Sequence, residues 1–272
     1  MIPNNPTLLY RVFDPVEGRP TMARRIDGAV VAVPGGVEEL HRRHRAGASL
    51  PTGRPVADDL DDLTLLPVSD PTKIVCVGLN YRQHADEMNK QVPEEPLLFL
   101  KPASALIGPG EAIELPPQSS EVHHEGELAI LIGERLKDAD PDTAERAIFG
   151  YTCALDITAR DIQRREKRYT RAKGFDTFAP TGPAIALAPD FVPAHHHLQC
   201  RVNGDLRQSS QLDDFIFDIP FVLSFISQVM TLHPGDLIFT GTPSGVGPIT
   251  DGDLVTVEVD GIGRLENPVI PR

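Results

Sequence analysis

Apolar runs separated by turn residues predict that most of the chain forms short strands. The run KIVCVG at residues 73–78 is typical of a buried strand, and HHEGELAILIG at residues 123–133 is typical of a longer one. Asn203-Gly204, between LQCRV and LRQSS, predicts a hairpin because Asn-Gly readily adopts the positive φ angles of a two-residue turn. Strands dominate without a regular βαβ alternation. This pattern predicts an α+β fold with a mixed or antiparallel sheet rather than a Rossmann or TIM fold.

Polar capping residues mark the few helices. The segment VEELHRRHRA at residues 37–46 predicts a helix near the start of the chain. Asp140, followed by proline, predicts the N-terminus of a short second helix. Thr158, with Asp161 three residues later, predicts the cap of a third, and Asp218 predicts the cap of an apolar fourth helix.

The sequence pattern changes near residue 70. Residues 1–70 predict a small N-terminal α+β unit that ends in a surface connection rich in Gly, Pro and Asp, with no convergence of chemically active residues. Residues 71–272 contain all the motifs that indicate chemistry. We therefore expect two parts, a small leading unit at 1–70 and a catalytic domain at 71–272.

Composition narrows the class of protein. The 26 basic and 39 acidic residues give a net charge of −13, which disfavours nucleic-acid binding. No apolar run approaches the ~20 residues that cross a bilayer, and the first residues do not resemble a secretory signal. The three cysteines, Cys76, Cys153 and Cys200, form no CxxC pair, which favours a reducing compartment. We expect a cytoplasmic protein that contacts neither nucleic acid nor membrane.

Carboxylates form the first candidate site. Glu125 and Glu127 are two residues apart on a predicted strand, so they project from the same side, and Asp156 lies near the end of the predicted strand YTCALDI. Two adjacent anions repel unless a cation joins them, and oxygen ligands select Mg²⁺ or Mn²⁺. Three carboxylates leave room in an octahedral shell for a bidentate donor such as a 2-oxo carboxylate. The alternative is a solvated sheet face.

A histidine and a helical segment supply further candidates. His84 and Glu87 are three residues apart, so one helical turn would let them hydrogen-bond, and the carboxylate would raise the basicity of the imidazole. The alternative is a surface pair. The segment of residues 160–173 has a local excess of basic residues, which indicates either attraction of an anionic substrate or a solvated helix face. Arg160 and Gln163 share one face of that helix.

Five motifs in order resemble one known family. They are VHHEGELAILIG, GYTCALDITARDIQ, AKGFDTFAPTGP, VNGDLRQ and GDLIFTGTPSGVGP. From about Lys73 to the C-terminus the chain is similar to the fumarylacetoacetate hydrolase family, and most similar to its acylpyruvate-hydrolase and oxaloacetate-decarboxylase branch. The resemblance implies a mixed β-sandwich roll, usually a homodimer, with Mg²⁺ or Mn²⁺ held by three carboxylates.

The resemblance also implies roles for nine residues. The expected metal ligands are Glu125, Glu127 and Asp156; the catalytic residues are His84, Glu87 and Lys173; the substrate-binding residues are Arg160, Gln163 and Thr242. In this family the histidine and glutamate form a dyad on a lid, and the lysine binds the substrate carboxylate or a developing oxyanion.

These roles predict a reaction on a small anionic 2-oxo acid. We expect hydrolysis of the C–C bond of 3-acylpyruvate-type 2,4-dioxo acids, in which His84, aided by Glu87, activates water and pyruvate leaves as an enolate. Decarboxylation of oxaloacetate, and isomerisation or hydration of 2-hydroxymuconate-type dienoates, need the same site and remain alternatives. A metal-binding protein without turnover is the alternative from a different class.

Overall fold

The computed structural model describes residues 6–82 and 92–272. Its strands are β1 (Leu8–Asp14), β2 (Arg19–Ile26), β3 (Ala29–Ala32), β4 (Pro55–Ala57), β5 (Ile74–Gly78), β6 (Leu97–Lys101), β7 (Leu106–Ile107), β8 (Ile113–Leu115), β9 (Val122–His124), β10 (Gly126–Ile132), β11 (Ile148–Leu155), β12 (Thr158–Ala159), β13 (Ala179–Leu187), β14 (His197–Val202), β15 (Asp205–Gln211), β16 (Leu237–Phe239), β17 (Gly247–Ile249), β18 (Leu254–Val259) and β19 (Gly263–Pro271). Its helices are α1 (Val37–Arg45), α2 (Pro141–Arg146), α3 (Arg160–Glu166), α4 (Thr170–Lys173) and α5 (Ile219–Val229), with 3₁₀ turns at Leu60–Asp62, Ala103–Ala105 and Pro193–His195.

The described strands form three sheets. The largest has the order β4-β3-β2-β1-β13-β11-β10-β16-β5-β6, with β7 beside β13. A three-stranded sheet has the order β12-β9-β17, and a five-stranded sheet has the order β15-β14-β18-β19-β8. Most described neighbours are antiparallel, but β16 runs parallel to β5, β7 runs parallel to β13, and β19 runs parallel to β8. The prediction of an α+β fold with mixed sheets is confirmed.

The leading segment continues the largest sheet. β1 pairs antiparallel with β13, with Leu8 opposite Ala186 and Leu9 opposite Ile185. β2, β3 and β4 then extend the sheet from β1. The boundary at residue 70 stays a prediction, and main-chain pairing joins its two sides.

The centre of the largest sheet is covered on both faces. Every residue of β10 is buried, and alternate side chains enter different apolar clusters: Leu128 and Ile130 belong to one, Ala129 and Leu131 to the other. Because successive strand residues point to opposite faces, this division shows that β10 is packed from both sides. Burial of each large aliphatic side chain contributes about 1.5–3 kcal/mol, so β10 is a firm support for the residues at its start.

Most of the predicted local signals are present. Asp140 accepts a hydrogen bond from the Thr143 amide (2.7 Å), and Asp218 accepts one from the Phe221 amide (2.9 Å), so both cap their helices. The turn at Asn203-Gly204 joins β14 to β15 with φ angles of 54° and 85°. No helix in residues 6–82 or 92–272 combines the length and apolar character needed to span a bilayer.

The prediction that Thr158 caps a helix is wrong. α3 begins at Arg160, its N-cap position is Ala159, and no side chain caps it. Thr158 lies in β12, opposite His123, and its hydroxyl donates to the carbonyl oxygen of Asp156 (3.1 Å). Pairing with a neighbouring strand therefore determines the conformation of Thr158, and tertiary contacts override the local capping pattern.

Candidate metal and substrate site

Three carboxylates meet where the strands of two sheets begin and end. Glu125 occupies the break between β9 and β10, Glu127 is the second residue of β10, and Asp156 directly follows β11. β10 and β11 are antiparallel neighbours, and the amide of Asp156 donates to the carbonyl oxygen of Glu125 (2.8 Å). Each residue offers one carboxylate oxygen within 4.8 Å of the others, and all three side chains are buried. We call these three residues the acidic triad.

Two members of the acidic triad are paired with buried cations. The Lys173 ammonium, at the end of α4, donates to Oε2 of Glu125 (2.8 Å) and to Oδ2 of Asp156. The Arg160 guanidinium, at the start of α3, donates to Oε1 of Glu125. Burial alone would raise the pKa of Glu125, but attraction to Lys173 and Arg160 outweighs it and lowers that pKa well below its usual range.

Glu127 lies in a different electrostatic environment. It accepts a hydrogen bond from the Gly241 amide (2.9 Å), but it forms no ion pair with the residues that the structure describes. Burial, followed by repulsion from Asp156 and Glu125, raises its pKa well above the usual value. A buried carboxylate beside two others is what a hard divalent cation would neutralise, so this donor set fits Mg²⁺ or Mn²⁺.

Lys101 is a fourth charged group at the site, and the sequence patterns did not indicate it. It ends β6, its side chain is fully buried, and its ammonium lies 2.5 Å from Oδ1 of Asp156. Lys101 and Lys173 thus bind opposite oxygens of one carboxylate. The sequence shows only a lysine at the end of the apolar run LLFLK, and the burial that requires a partner for its charge becomes visible in the structure.

A cavity of about 450 Å³ opens beside the acidic triad. Its polar lining residues are His123, Glu125, Glu127, Asp156, Arg160, Gln163, Arg164, Lys167, Tyr169, Lys173 and Thr242. The rings of Phe99 and Tyr169 stack with centroids 4.9 Å apart on another part of the wall, and the Lys173 ammonium is 5.0 Å from the Phe99 ring centroid. The cavity thus combines carboxylates, fixed cations and an apolar surface, as small-molecule sites do.

All the substrate-binding candidates line this cavity. Arg160 donates to Oε1 of Gln163 (2.5 Å), which confirms that the two side chains share one face of α3. Thr242 follows β16, and its hydroxyl donates to the carbonyl oxygen of Gly126 (2.9 Å), between two triad members. The structure therefore brings together seven of the nine expected residues. His84 and Glu87 lie outside the described residues.

Gln208 holds the loop of Thr242 against the strand of the triad. Its Oε1 accepts from the Gly126 amide (2.8 Å), and its Nε2 donates to Thr242 Oγ1 (2.7 Å) and to the carbonyl oxygen of Pro243 (2.8 Å). The side chain is buried and extends from β15. Gln208 belongs to the motif VNGDLRQ, but only the tertiary structure shows that it connects three segments.

The two histidines before Glu125 face different surroundings. His123 lines the cavity, and its Nε2 is 2.8 Å from Oε1 of Glu121. His124 is buried against Gln208, and burial lowers its pKa to about 4. Adjacent strand residues point to opposite sides, so only His123 faces the cavity.

A mixed β fold that gathers three carboxylates and three cations beside one cavity defines a protein suited to binding a hard cation together with a small anion. The model of the fumarylacetoacetate (FAA) hydrolase C-terminal family matches residues 73–270. The chain belongs to this family, as the order of its motifs predicted.

Three known proteins illustrate the similarity. The chain is 43% identical over 233 residues to the mitochondrial oxaloacetate tautomerase FAHD2B of Bos taurus, covering 82% of this chain and 74% of that protein. It resembles the crystal structure of 2-hydroxyhepta-2,4-diene-1,7-dioate isomerase from Mycobacterium marinum with a TM-score of 0.83 and 39% identity, covering 98% of this chain and 99% of that chain. It resembles maleylpyruvate hydrolase from Sphingobium sp. SYK-6, in complex with manganese(II) and pyruvate, with a TM-score of 0.78 and 32% identity, covering 97% and 99%.

Proposed function

We propose that this protein is a divalent-metal-dependent enzyme that acts on a small 2-oxo acid and hydrolyses the C–C bond of 3-acylpyruvate-type 2,4-dioxo acids. The observation that carries the proposal is the acidic triad, whose Glu127 has no ion pair among the described residues, beside a cavity lined by Lys173 and Arg160. Glu125, Glu127 and Asp156 would hold Mg²⁺ or Mn²⁺. A dication there would act as a Lewis acid that polarises the 2-oxo group. The manganese and pyruvate in the maleylpyruvate hydrolase structure support this assignment.

Each polar residue proposed to contact the substrate has a distinct role at the cavity wall. Arg160 and Gln163, already hydrogen-bonded to each other, would orient the substrate carboxylate from α3. Lys173 would donate to the oxyanion that develops at the attacked carbonyl, because its buried ammonium is held in place before reaction. The Thr242 hydroxyl, fixed by Gln208 and Gly126, would set the depth to which the substrate enters.

Hydrolysis also needs a base that removes a proton from water. We assign this task to His84, with Glu87 orienting its ring, as predicted from their spacing and from the family resemblance. The attacking water adds to the distal carbonyl, the C–C bond breaks, and pyruvate leaves as its enolate, which then takes up a proton at C3. We further propose that the active form is a homodimer, to be tested by sedimentation velocity.

Keto–enol tautomerisation or isomerisation is the second candidate reaction. The similar proteins named for these activities are 43% and 39% identical to this chain, whereas the maleylpyruvate hydrolase is 32% identical. Such a reaction uses the same triad and Lys173 and moves protons without an attacking water. Oxaloacetate decarboxylation stays a further prediction, because loss of CO₂ from oxaloacetate gives the same pyruvate enolate.

Substrate assays with and without metal test the proposal. The purified protein is assayed against acylpyruvates, oxaloacetate in its enol form and a 2-hydroxymuconate-type dienoate, with Mn²⁺ or Mg²⁺ and then with EDTA. We expect turnover of acylpyruvates that EDTA abolishes and that His84→Ala removes. Turnover of the enol or dienoate alone would favour the second candidate. A protein inert to the whole panel that still binds Mn²⁺ would refute both and indicate a non-catalytic metal-binding protein.

A further inference from the structure

Lys101 contacts the site without facing the cavity. Its Nζ is 2.5 Å from Oδ1 of Asp156 and 3.2 Å from the carbonyl oxygen of Ile157, and its side chain is fully buried. Lys173, which binds the other oxygen of Asp156, does line the cavity. Since Lys101 is not among the lining residues, its effect on a ligand must act through Asp156 and through its charge.

The formal charges around the triad are balanced. Lys101, Lys173 and Arg160 are paired with Glu125 and Asp156, and the described residues give Glu127 no ion pair. The three carboxylates and three cations of this cluster therefore sum to zero when all are ionised. A bound dication would bring the sum to +2. Net charge in a buried site is costly unless a ligand offsets it. A ligand with two negative charges restores neutrality, whereas a ligand with one charge leaves an excess of +1.

We propose that Lys101 is a specificity-determining positioning residue, whose charge makes the cation-loaded site prefer a dianionic bidentate ligand over a monoanionic ligand of the same shape. This inference rests on the proposed function, because it requires a divalent cation at the acidic triad. The keto form of a simple 2-oxo monoacid carries one negative charge, and its enolate carries two. The charge of Lys101 therefore favours the enolate, which the candidate reactions have in common, without any contact with the substrate.

Oxalate and oxamate are matched probes for this preference. They have nearly the same shape and both chelate through two oxygens, but oxalate has two negative charges and oxamate has one. Without Lys101 the cation-loaded cluster carries +1, so the advantage of the second ligand charge shrinks. At an effective dielectric constant of about 20 and a separation of roughly 7 Å, loss of one such interaction corresponds to a factor of about 10–100 in affinity.

Isothermal titration calorimetry measures Mn²⁺, oxalate and oxamate affinities in the full chain. In Lys101→Met and Lys101→Gln, we expect the oxalate-to-oxamate affinity ratio to fall about 10- to 100-fold, while Mn²⁺ still binds. The glutamine variant keeps a donor for Asp156 but has no charge. Lys101→Arg keeps the charge and should keep the ratio. The matched control is Lys73→Met, which removes a lysine 2.5 Å from a different buried carboxylate, that of Asp236, and should leave the ratio unchanged.

Each outcome separates this inference from the function on which it rests. An unchanged ratio in the methionine and glutamine variants, with Mn²⁺ bound, would overturn the role of Lys101 and leave the proposed function intact. A wild-type protein that binds neither Mn²⁺ nor oxalate would overturn the proposed function itself. If none of the Lys101 variants folds, Lys101 serves the fold rather than ligand choice, and the inference fails.

Discussion

The same substitution at two members of the acidic triad should change the stability of the metal-free protein in opposite directions. Glu125→Gln removes a carboxylate that pairs with Lys173 (2.8 Å) and with Arg160. Glu127→Gln removes a carboxylate that forms no described ion pair and has two other carboxylates nearby. The two positions are two residues apart and almost equally buried, so each variant is the control for the other.

The structure sets the size of both effects. Breaking a buried pair by removal of one partner costs about 3–5 kcal/mol, so Glu125→Gln should destabilise by that order. Two like charges within 4.8 Å of each other repel by about 3.5 kcal/mol or more at an effective dielectric constant of about 20. Protonation of Glu127 limits this cost, because its pKa is raised. The amide oxygen can still accept from Gly241. We therefore expect Glu127→Gln to stabilise by about 1–2 kcal/mol.

Urea unfolding at pH 7 in EDTA measures both free energies of unfolding. Repeating the measurement in Mn²⁺ should reverse the ranking of the wild type and Glu127→Gln, because a ligand at 100 times its dissociation constant adds about 2.7 kcal/mol only to a protein that binds it. Destabilisation of similar size by both substitutions in EDTA would refute the argument that Glu127 is an uncompensated carboxylate. Equal stabilisation of all three proteins by Mn²⁺ would refute the triad as the metal site.

Three further predictions follow from other contacts. Gln208→Ala should cost about 2–4 kcal/mol of unfolding free energy and weaken Mn²⁺ binding, because it leaves the Gly126 amide without its acceptor and the oxygens of Thr242 and Pro243 without their donor. Gln211→Ala, on the exposed end of the same strand, should do neither. Asp236→Asn should cost about 3–5 kcal/mol at pH 7, since the carboxylate pairs with Lys73 (2.5 Å) and accepts several further hydrogen bonds. Burial alone would raise the pKa of Asp236, but these contacts outweigh it and lower that pKa. The stability that the Asp236 carboxylate contributes is therefore complete above about pH 4, the unfolded value, and is lost as the pH falls through the lower folded pKa. Unfolding curves in which Asp236→Asn is as destabilising at pH 2–3 as at pH 7 would contradict this. Lys173→Met should lower kcat about 100-fold or more while Mn²⁺ still binds by calorimetry, and a normal kcat would exclude the oxyanion role.

Local sequence patterns correctly predicted features whose conformation is determined by residues close in sequence. The hairpin at Asn203-Gly204 and the helix cap at Asp218 are determined within a few residues, and both predictions are confirmed. The convergence of Glu125 and Glu127 was predicted from strand alternation, although the strand is broken at Glu125. The prediction succeeds because the hydrogen bond from the Asp156 amide to the Glu125 carbonyl oxygen continues the pairing of β10 with β11 through the break.

Contacts between distant segments were not predictable. Lys101 meets Asp156 across 55 positions of sequence, and the pairing of β6 with β5 helps to bring it to the site. Gln208 joins Gly126 and Thr242 across 82 and 34 positions. The sequence shows a lysine after an apolar run and a glutamine in a hairpin, and both are ordinary there. Their partners are set by the order of strands in the sheets, which no local pattern encodes.

The ion pairs of the metal-free site indicate how Lys173 and Arg160 could become available to bind an anionic ligand. Lys173 and Arg160 bond to Glu125, and Lys173 also bonds to Asp156, so the cations that line the cavity are held by carboxylates. Those same carboxylate oxygens are the proposed cation ligands. If they bound a dication, Lys173 and Arg160 would lose partners and would have free donors beside the cavity. An anionic ligand would then satisfy donors that would otherwise stay buried and unpaired. Cation and anion should therefore bind with positive coupling, and by linkage each must raise the affinity for the other by the same factor.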